Sequence, residues 1–253
     1  LCLKHVKIKP NVKDRMVPVG LKSLCEACSK LYPDQPNPLQ VTTRLKYWLG
    51  GEDPLDYISM YWHPGIPEER VPPHWHYISF GLSDLHGDGR VHPPPGQGSG
   101  YGFELTFRLK APPGPPGPPP LWPAALCQAL ARYVFTTGNK FCAGDHISWH
   151  RALDGSSHRT RVKHLLVAKD PALAPTPTPH GTVEFLQVRI IIIIIIKNYR
   201  RIQTIGLQHA HRTVSRARMI CSTPSFPFYS QMGGGAMTVA GVATVINLNA
   251  TTG

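Results

Sequence analysis

The segment Gly102-Phe-Glu-Leu-Thr-Phe-Arg-Leu-Lys110 alternates apolar and polar residues without a break. Phe103, Leu105, Phe107 and Leu109 fall on one side, and Glu104, Thr106 and Arg108 on the other. A period of two fits a strand, because successive strand side chains point to opposite faces. The alternation predicts a half-buried strand with one face on a core and the other toward water. Helical spacing occurs in two places. Leu21, Leu24, Cys25, Cys28 and Leu31 form one stripe, in a helix ending near Tyr32. Leu126, Leu130 and Tyr133, with Ala129 and Val134, form the other, opened by Pro123 and stopped by Gly138.

The remaining segments read as strands and connections. Gln40–Leu49 alternates loosely, with Val41, Leu45, Tyr47 and Leu49 on one side, and Gly50-Gly51 turns it. Tyr57–Tyr61 and His76–Leu82 are rich in aromatic and β-branched residues. Val162–Val167 and Thr182–Val188 add two strands, with the Pro/Thr-rich stretch Pro171–Pro179 as their linker. Asp84–Arg90 is a loop. Pro112–Pro120 reads Pro-Pro-Gly-Pro-Pro-Gly-Pro-Pro-Pro, too short for a triple helix and suited to a stiff polyproline connection. A docking site for a proline-reading domain is its functional alternative. These elements predict an α+β fold: a mixed β-sheet with a few packed helices.

The charge sits away from this ordered region. The net charge is +12. Lys4, Lys7, Lys9, Lys13 and Arg15 against Asp14 give residues 1–20 a charge of +4. Arg189, Lys197, Arg200, Arg201, Arg212, Arg216 and Arg218 give residues 189–253 a charge of +7, with no acid. Residues 21–188 are left nearly neutral, whereas a nucleic-acid domain concentrates cations on a folded face. Direct nucleic-acid binding is therefore not expected, and a basic tail that binds it is only an alternative. Cys2, Cys25, Cys28, Cys127, Cys142 and Cys221 lack a second C-x-x-C pair at zinc-ribbon spacing and fit reduced thiols in an intracellular setting. Ile190–Ile196 is too short to span a membrane, and no signal peptide is visible.

No P-loop, dinucleotide fingerprint or G-x-S-x-G elbow occurs. His74 and His76 share a strand face, and His146 stands four residues before His150. A zinc-dependent hydrolase using these four is the enzymatic alternative. Histidines satisfying buried backbone groups are the simpler reading. Trp48, Tyr57, Tyr61, Trp75 and Tyr77 read as core or half-buried sheet residues, with an interaction surface as their alternative. No catalytic set, cofactor or metal is expected.

Several phrases carry a further signal. They are Leu31-Tyr-Pro-Asp-Gln-Pro-Asn-Pro-Leu-Gln40, Lys46-Tyr-Trp-Leu-Gly-Gly51, Asp53-Pro-Leu-Asp-Tyr-Ile-Ser-Met-Tyr61 and His74-Trp-His-Tyr-Ile-Ser-Phe-Gly-Leu-Ser-Asp84. Gly102–Lys110, Leu130-Ala-Arg-Tyr-Val-Phe135 and Phe141-Cys-Ala-Gly-Asp-His-Ile-Ser-Trp-His150 follow in order. Together they resemble the amino-terminal domain of the Suppressor of fused family. The resemblance implies a non-enzymatic negative regulator of Hedgehog signalling, present in cytoplasm and nucleus, that sequesters Gli-type transcription factors. It implies a grip on a Ser-Tyr-Gly-His peptide between two domains, with no membrane involved. Residue by residue, it implies peptide contacts from Tyr133, Asp145 and the segment beginning at Phe141, whose backbone offers a strand edge. It covers residues 20–188, an incomplete domain preceded by a non-homologous leader (1–19). Residues 189–253 are expected to be a disordered, non-homologous tail, and a truncated form of this kind is expected to grip Gli weakly.

Overall fold

The computed structural model describes residues 17–93, 98–112, 114–149, 152–155 and 164–191. The expectations for the leader up to residue 16, the tail from residue 192, Cys2, Cys221 and His150 lie outside the described residues. The chain divides into two compact units. Among the described residues, the first holds those up to Lys140 together with Lys169–Val188, and the second holds Phe141–Ala168 and those from Arg189.

The first unit opens with α1 (Val19–Leu31), followed by β1 (Leu39–Thr42), β2 (Tyr57–His63), β3 (His74–Phe80), β4 (Phe103–Lys110) and α2 (Trp122–Thr137). Two single-turn 3-10 helices, Tyr47–Leu49 and Pro67–Glu69, lie between strands. β5 (His146–Ser148) belongs to the second unit, where β6 (His164–Lys169) begins; β7 (Thr176–Thr178) and β8 (Gly181–Ile191) complete the order. β1, β2, β3 and β4 form an antiparallel meander, with Tyr61 opposite His76 and Tyr77 opposite Phe107. β8 then joins β4 in parallel, with Phe107 opposite Val188, and β7 folds back on the start of β8. The sheet is mixed and the fold α+β, as the alternation and the two helical stripes predict.

The helices form where the spacing places them. Gly20, Leu24 and Cys28 are the buried stripe of α1, and Leu24 and Cys28 pack with Tyr61, Ile78, Phe80, Leu85 and Phe185. Gly20 is required by contact: a Cβ there would stand 2.4 Å from the Asp84 carbonyl oxygen. α2 carries proline in its first turn and ends at Gly138. Its Gln128 is buried and forms a two-point clamp on Leu55, donating to the Leu55 carbonyl at 2.9 Å and accepting the Leu55 N–H at 3.1 Å. Gln128→Ala orphans both backbone groups and is expected to cost about 2–4 kcal/mol, read as a lowered midpoint in urea with an unchanged slope.

Five expectations need correction. Gln40–Leu49 is not one strand: β1 stops at Thr42, and Tyr47–Leu49 is a 3-10 turn. The N–H groups of Gly50 and Gly51 bond back to the Tyr47 and Lys46 carbonyls, so Leu45, Trp48 and Leu49 end exposed. Trp48 is accordingly not a core residue, and the Arg90 guanidinium lies over its ring at 4.9 Å. The linker Pro171–Pro179 contains β7, and the last strand runs three residues past Val188. β4 is not half-buried. Glu104 and Thr106 are as inaccessible as the phenylalanines beside them.

The polar face of β4 is covered because its polar groups have partners. Thr106 lies opposite Ile78 and Arg108 opposite His76. Thr106 Oγ1 donates to Asp170 Oδ2 at 2.6 Å, and Arg108 Nη2 to Asp170 Oδ1 at 2.8 Å. Tyr32 Oη lies 2.8 Å from His76 Nδ1, and His76 Nε2 stands 3.3 Å from Asp170 Oδ2. That last approach is close enough for attraction but outside the geometry of a formed hydrogen bond. Burial lowers His76 to about 4, so it is neutral at pH 7 and Tyr32 keeps its proton to donate. Burial opposes the charge on Asp170, yet His76 and Arg108 outweigh it and hold the carboxyl well below the usual carboxylate range.

Candidate functional site

The segment that carries the implied peptide contacts is a turn leading into an edge strand. The Asp145 N–H bonds to the Cys142 carbonyl at 3.1 Å, closing a four-residue turn. Gly144 occupies its third position at φ 102°, where an L side chain is strained. The Gly144 N–H then donates to the Val167 carbonyl at 2.8 Å, and the Val167 N–H donates to the Asp145 carbonyl at 2.8 Å. Two residues thus face one partner, which is a β-bulge with glycine at its first position. Phe141–Gly144 is therefore not a strand edge, because the Gly144 N–H is spent on Val167. The edge begins at β5 instead.

β5 pairs antiparallel with β6, with His146 opposite Leu166 and Ser148 opposite His164. Asp145 turns its carbonyl toward Val167. By the alternation of antiparallel pairing, the N–H and C=O groups of His146 and Ser148 then face away from β6. Among the described residues no strand lies along that outer edge. Such an edge is a template for an added strand.

Asp145 sits at the head of the edge strand. It is buried, and its Oδ2 accepts the Cys142 N–H at 2.6 Å, so the carboxylate is fixed to the turn that precedes the strand. Phe141 is buried at the start of the same turn. Tyr133 belongs to the other unit, near the end of α2, where it is buried and its hydroxyl accepts the Asn139 side-chain N–H at 3.0 Å.

Of the four histidines of the zinc reading, His150 lies outside the described residues and the other three each have their own partners. His74 Nδ1 meets the Pro72 carbonyl at 2.9 Å and its ring stacks on His63, while His76 serves Tyr32 and Asp170. His146 finds a partner that sequence reading missed: its Nε2 lies 3.0 Å from His164 Nδ1, with the rings stacked. Burial, and then the neighbouring His164, lower the pKa of His146. No local signal pairs these two, because their meeting depends on the register between β5 and β6. Among the described residues no three His, Cys, Asp or Glu side chains gather as a metal-holding group. Cys25, Cys28, Cys127 and Cys142 are free thiols. Burial pushes Cys28 and Cys127 up to about 12, which makes them packing groups rather than nucleophiles. No helix among the described residues is long and apolar enough to cross a membrane.

Comparison with known proteins bears on the same residues. The Suppressor of fused protein family model matches residues 51–194. The Suppressor of fused homologs of Homo sapiens and Mus musculus are each 58% identical over 171 residues, covering 67% of this chain and 35% of theirs. The chain thus spans about a third of the length of these relatives. A solved structure described as the Sufu-Fu complex is similar at a TM-score of 0.66 and 54% identity, covering 70% of this chain and 77% of that one. The crystal structure of Drosophila Suppressor of Fused is similar at a TM-score of 0.65 and 55% identity, covering 69% and 42%. Strands β2 to β8 and the turn before β5 fall within residues 51–194, and the chain belongs to the Suppressor of fused family.

Proposed function

We propose that this chain forms one wall of a peptide clamp that holds Gli-type transcription factors, and that through it the chain acts as a negative regulator in Hedgehog signalling. The observation that carries this reading is the β5 edge, presented by a glycine bulge with a carboxylate fixed at its head. An extended Ser-Tyr-Gly-His peptide adds to the outer groups of His146 and Ser148 as a strand. Its histidine takes a charge-assisted hydrogen bond at Asp145. Tyr133 and Phe141 are the further contacts that family resemblance gives, and both are buried in the free chain. No catalytic step belongs to this reading, and sequestration would operate in both cytoplasm and nucleus. A neighbouring structure described as a Sufu-Fu complex fits a surface that recognises protein partners.

A one-sided wall grips weakly. Titration of a labelled Ser-Tyr-Gly-His peptide from a Gli protein is expected to show binding by these 253 residues at least about a hundredfold weaker than by the same chain extended with a Suppressor of fused carboxy-terminal domain, a loss of about 2.7 kcal/mol or more. In the extended chain, Asp145→Arg is expected to abolish binding. Binding in the extended chain that survives Asp145→Arg would overturn the proposal.

A further inference from the structure

The connection between β4 and α2 is a second, separate recognition element. We propose that Pro115–Pro120 is a preformed polyproline ligand for a WW-type domain, whose groove is walled by aromatic rings and reads prolines without a flanking cation. Six residues, Pro115-Pro-Gly-Pro-Pro-Pro120, contain a single backbone N–H, that of Gly117. Such a run cannot join a sheet or continue a helix, and proline fixes its φ near the polyproline value. Among the described residues it takes no secondary structure, and every residue from Gly114 to Pro118 is exposed, as is Pro120.

The run is held at both ends. On the strand side, the Ala111 N–H donates to the Pro73 carbonyl at 2.9 Å. On the helix side, the Tyr77 hydroxyl donates to the Pro120 carbonyl at 2.6 Å. A ligand tethered in its bound form loses less conformational entropy when it binds, which favours recognition. Pro115-Pro116 and Pro118-Pro119 are two Xaa-Pro pairs three residues apart, one turn of a polyproline helix, so both pairs present the same face. Pro120 follows them, about 15 Å from Pro115 at the rise of such a helix.

The choice of partner rests on Gly114. Its φ of 121° lies outside the polyproline region and bends the chain between Lys110 and the run. Grooves of the SH3 type combine proline pockets with a pocket for a cation at a fixed distance. Beyond the bend, from Pro115 to Pro123, the sequence holds no Lys or Arg. A groove that needs only the prolines is therefore favoured. Leu121, 37% exposed, extends the apolar face past Pro120.

The test titrates the full chain into isotope-labelled isolated WW domains that take polyproline ligands, and separately into a labelled SH3 domain, reading amide shifts of the labelled domain. The expected result is saturable binding to a WW domain, centred on its aromatic groove. The variant carrying Pro116→Ala and Pro119→Ala is expected to weaken it at least tenfold, with the thermal midpoint of the chain unchanged. Pro112→Ala, on the near side of the bend, is expected to leave it intact. Should the double variant disturb the fold, Pro116→Ala alone, at an exposed position, carries the same comparison. Binding only to the SH3 domain, equal binding by the variants, or no binding to either domain would overturn the proposal. None of these outcomes depends on Gli peptide binding at β5.

Discussion

Asp170→Ala is expected to remove about 3–5 kcal/mol from the stability of the fold, close to the whole margin of an ordinary domain. The side chain is fully buried and both carboxylate oxygens accept hydrogen bonds. Oδ1 accepts from Arg108 at 2.8 Å and from the N–H groups of Ala172 at 2.8 Å and Leu173 at 3.2 Å. Oδ2 accepts from Thr106 at 2.6 Å and faces His76 at 3.3 Å. Alanine leaves a guanidinium without its counter-charge and two backbone donors without acceptors. Asp170→Asn separates charge from connectivity: its oxygen can keep the three Oδ1 partners, while Thr106 and His76 must turn to accept. The asparagine variant should therefore lose clearly less than the alanine variant in equilibrium urea unfolding, and equal losses would refute this account of Asp170. The same network sets the acid response. His74 and His76 are lowered to about 4, chiefly by burial. A lowered histidine contributes stability that is present above its unfolded value near 6.5 and is lost as pH falls from there toward 4. The depressed Asp170 adds a loss below the unfolded carboxylate value near 3.8. The chain should therefore weaken from about pH 6.5 downward, ahead of ordinary carboxylate titration.

This network also marks where the sequence stopped being readable. The period of two in β4 is visible in residues 103–109 and is correct. What it cannot reveal is that Glu104 and Thr106 on the polar side are fully buried. Glu104, Thr106 and Arg108 look like a solvated face, and only pairing with β3 and β8, along with the segment after Asp170, shows that each has a buried partner. Asp170 itself lies before a Pro-rich stretch that reads as linker, 62 residues from Arg108 in the chain. The helices were legible because i, i+4 spacing is local, and Gly138 and Pro123 mark ends that depend on one or two residues. The exact start of the edge strand was not legible, since it depends on which N–H groups Val167 engages. Nor was the His146–His164 contact, which a shift of one residue in register would remove.

Glu104→Leu is expected to be the other severe substitution, costing about 3 kcal/mol or more even though leucine suits a buried strand. The Glu104 carboxylate organises the exit from β3. Its Oε1 accepts from the Gly81 N–H at 2.8 Å, the Ser83 N–H at 2.9 Å and the Ser83 hydroxyl at 2.6 Å, and its Oε2 accepts from the Ser79 hydroxyl at 2.6 Å. The Ser79 oxygen in turn accepts the Leu105 N–H at 2.8 Å. Leucine orphans three backbone donors inside the protein, those of Gly81, Leu82 and Ser83, so the loss exceeds anything its apolar surface returns. Glu104→Gln keeps one oxygen for the Gly81 and Ser83 side but turns an amide toward Ser79, and should cost about 1–3 kcal/mol. Burial pushes the Glu104 carboxyl up to about 7, against the pull of these donors. A raised carboxyl contributes stability that is fully present below its unfolded value near 4.5 and is lost as pH rises through about 7. Its sign is opposite to that of His74 and His76, so in the wild-type chain it offsets part of their acid loss. Removing it should uncover them: the stability of Glu104→Gln, followed by urea midpoints between pH 4.5 and 7.5, should fall more steeply toward acid than that of the wild type. Parallel curves would show that Glu104 does not change protonation in this range and that its donors hold it ionised throughout. Hydrogen exchange locates the structural effect, because the Gly81 and Ser83 amides should lose protection in both variants while the Leu55 amide, held by Gln128, should keep it wherever the chain remains folded.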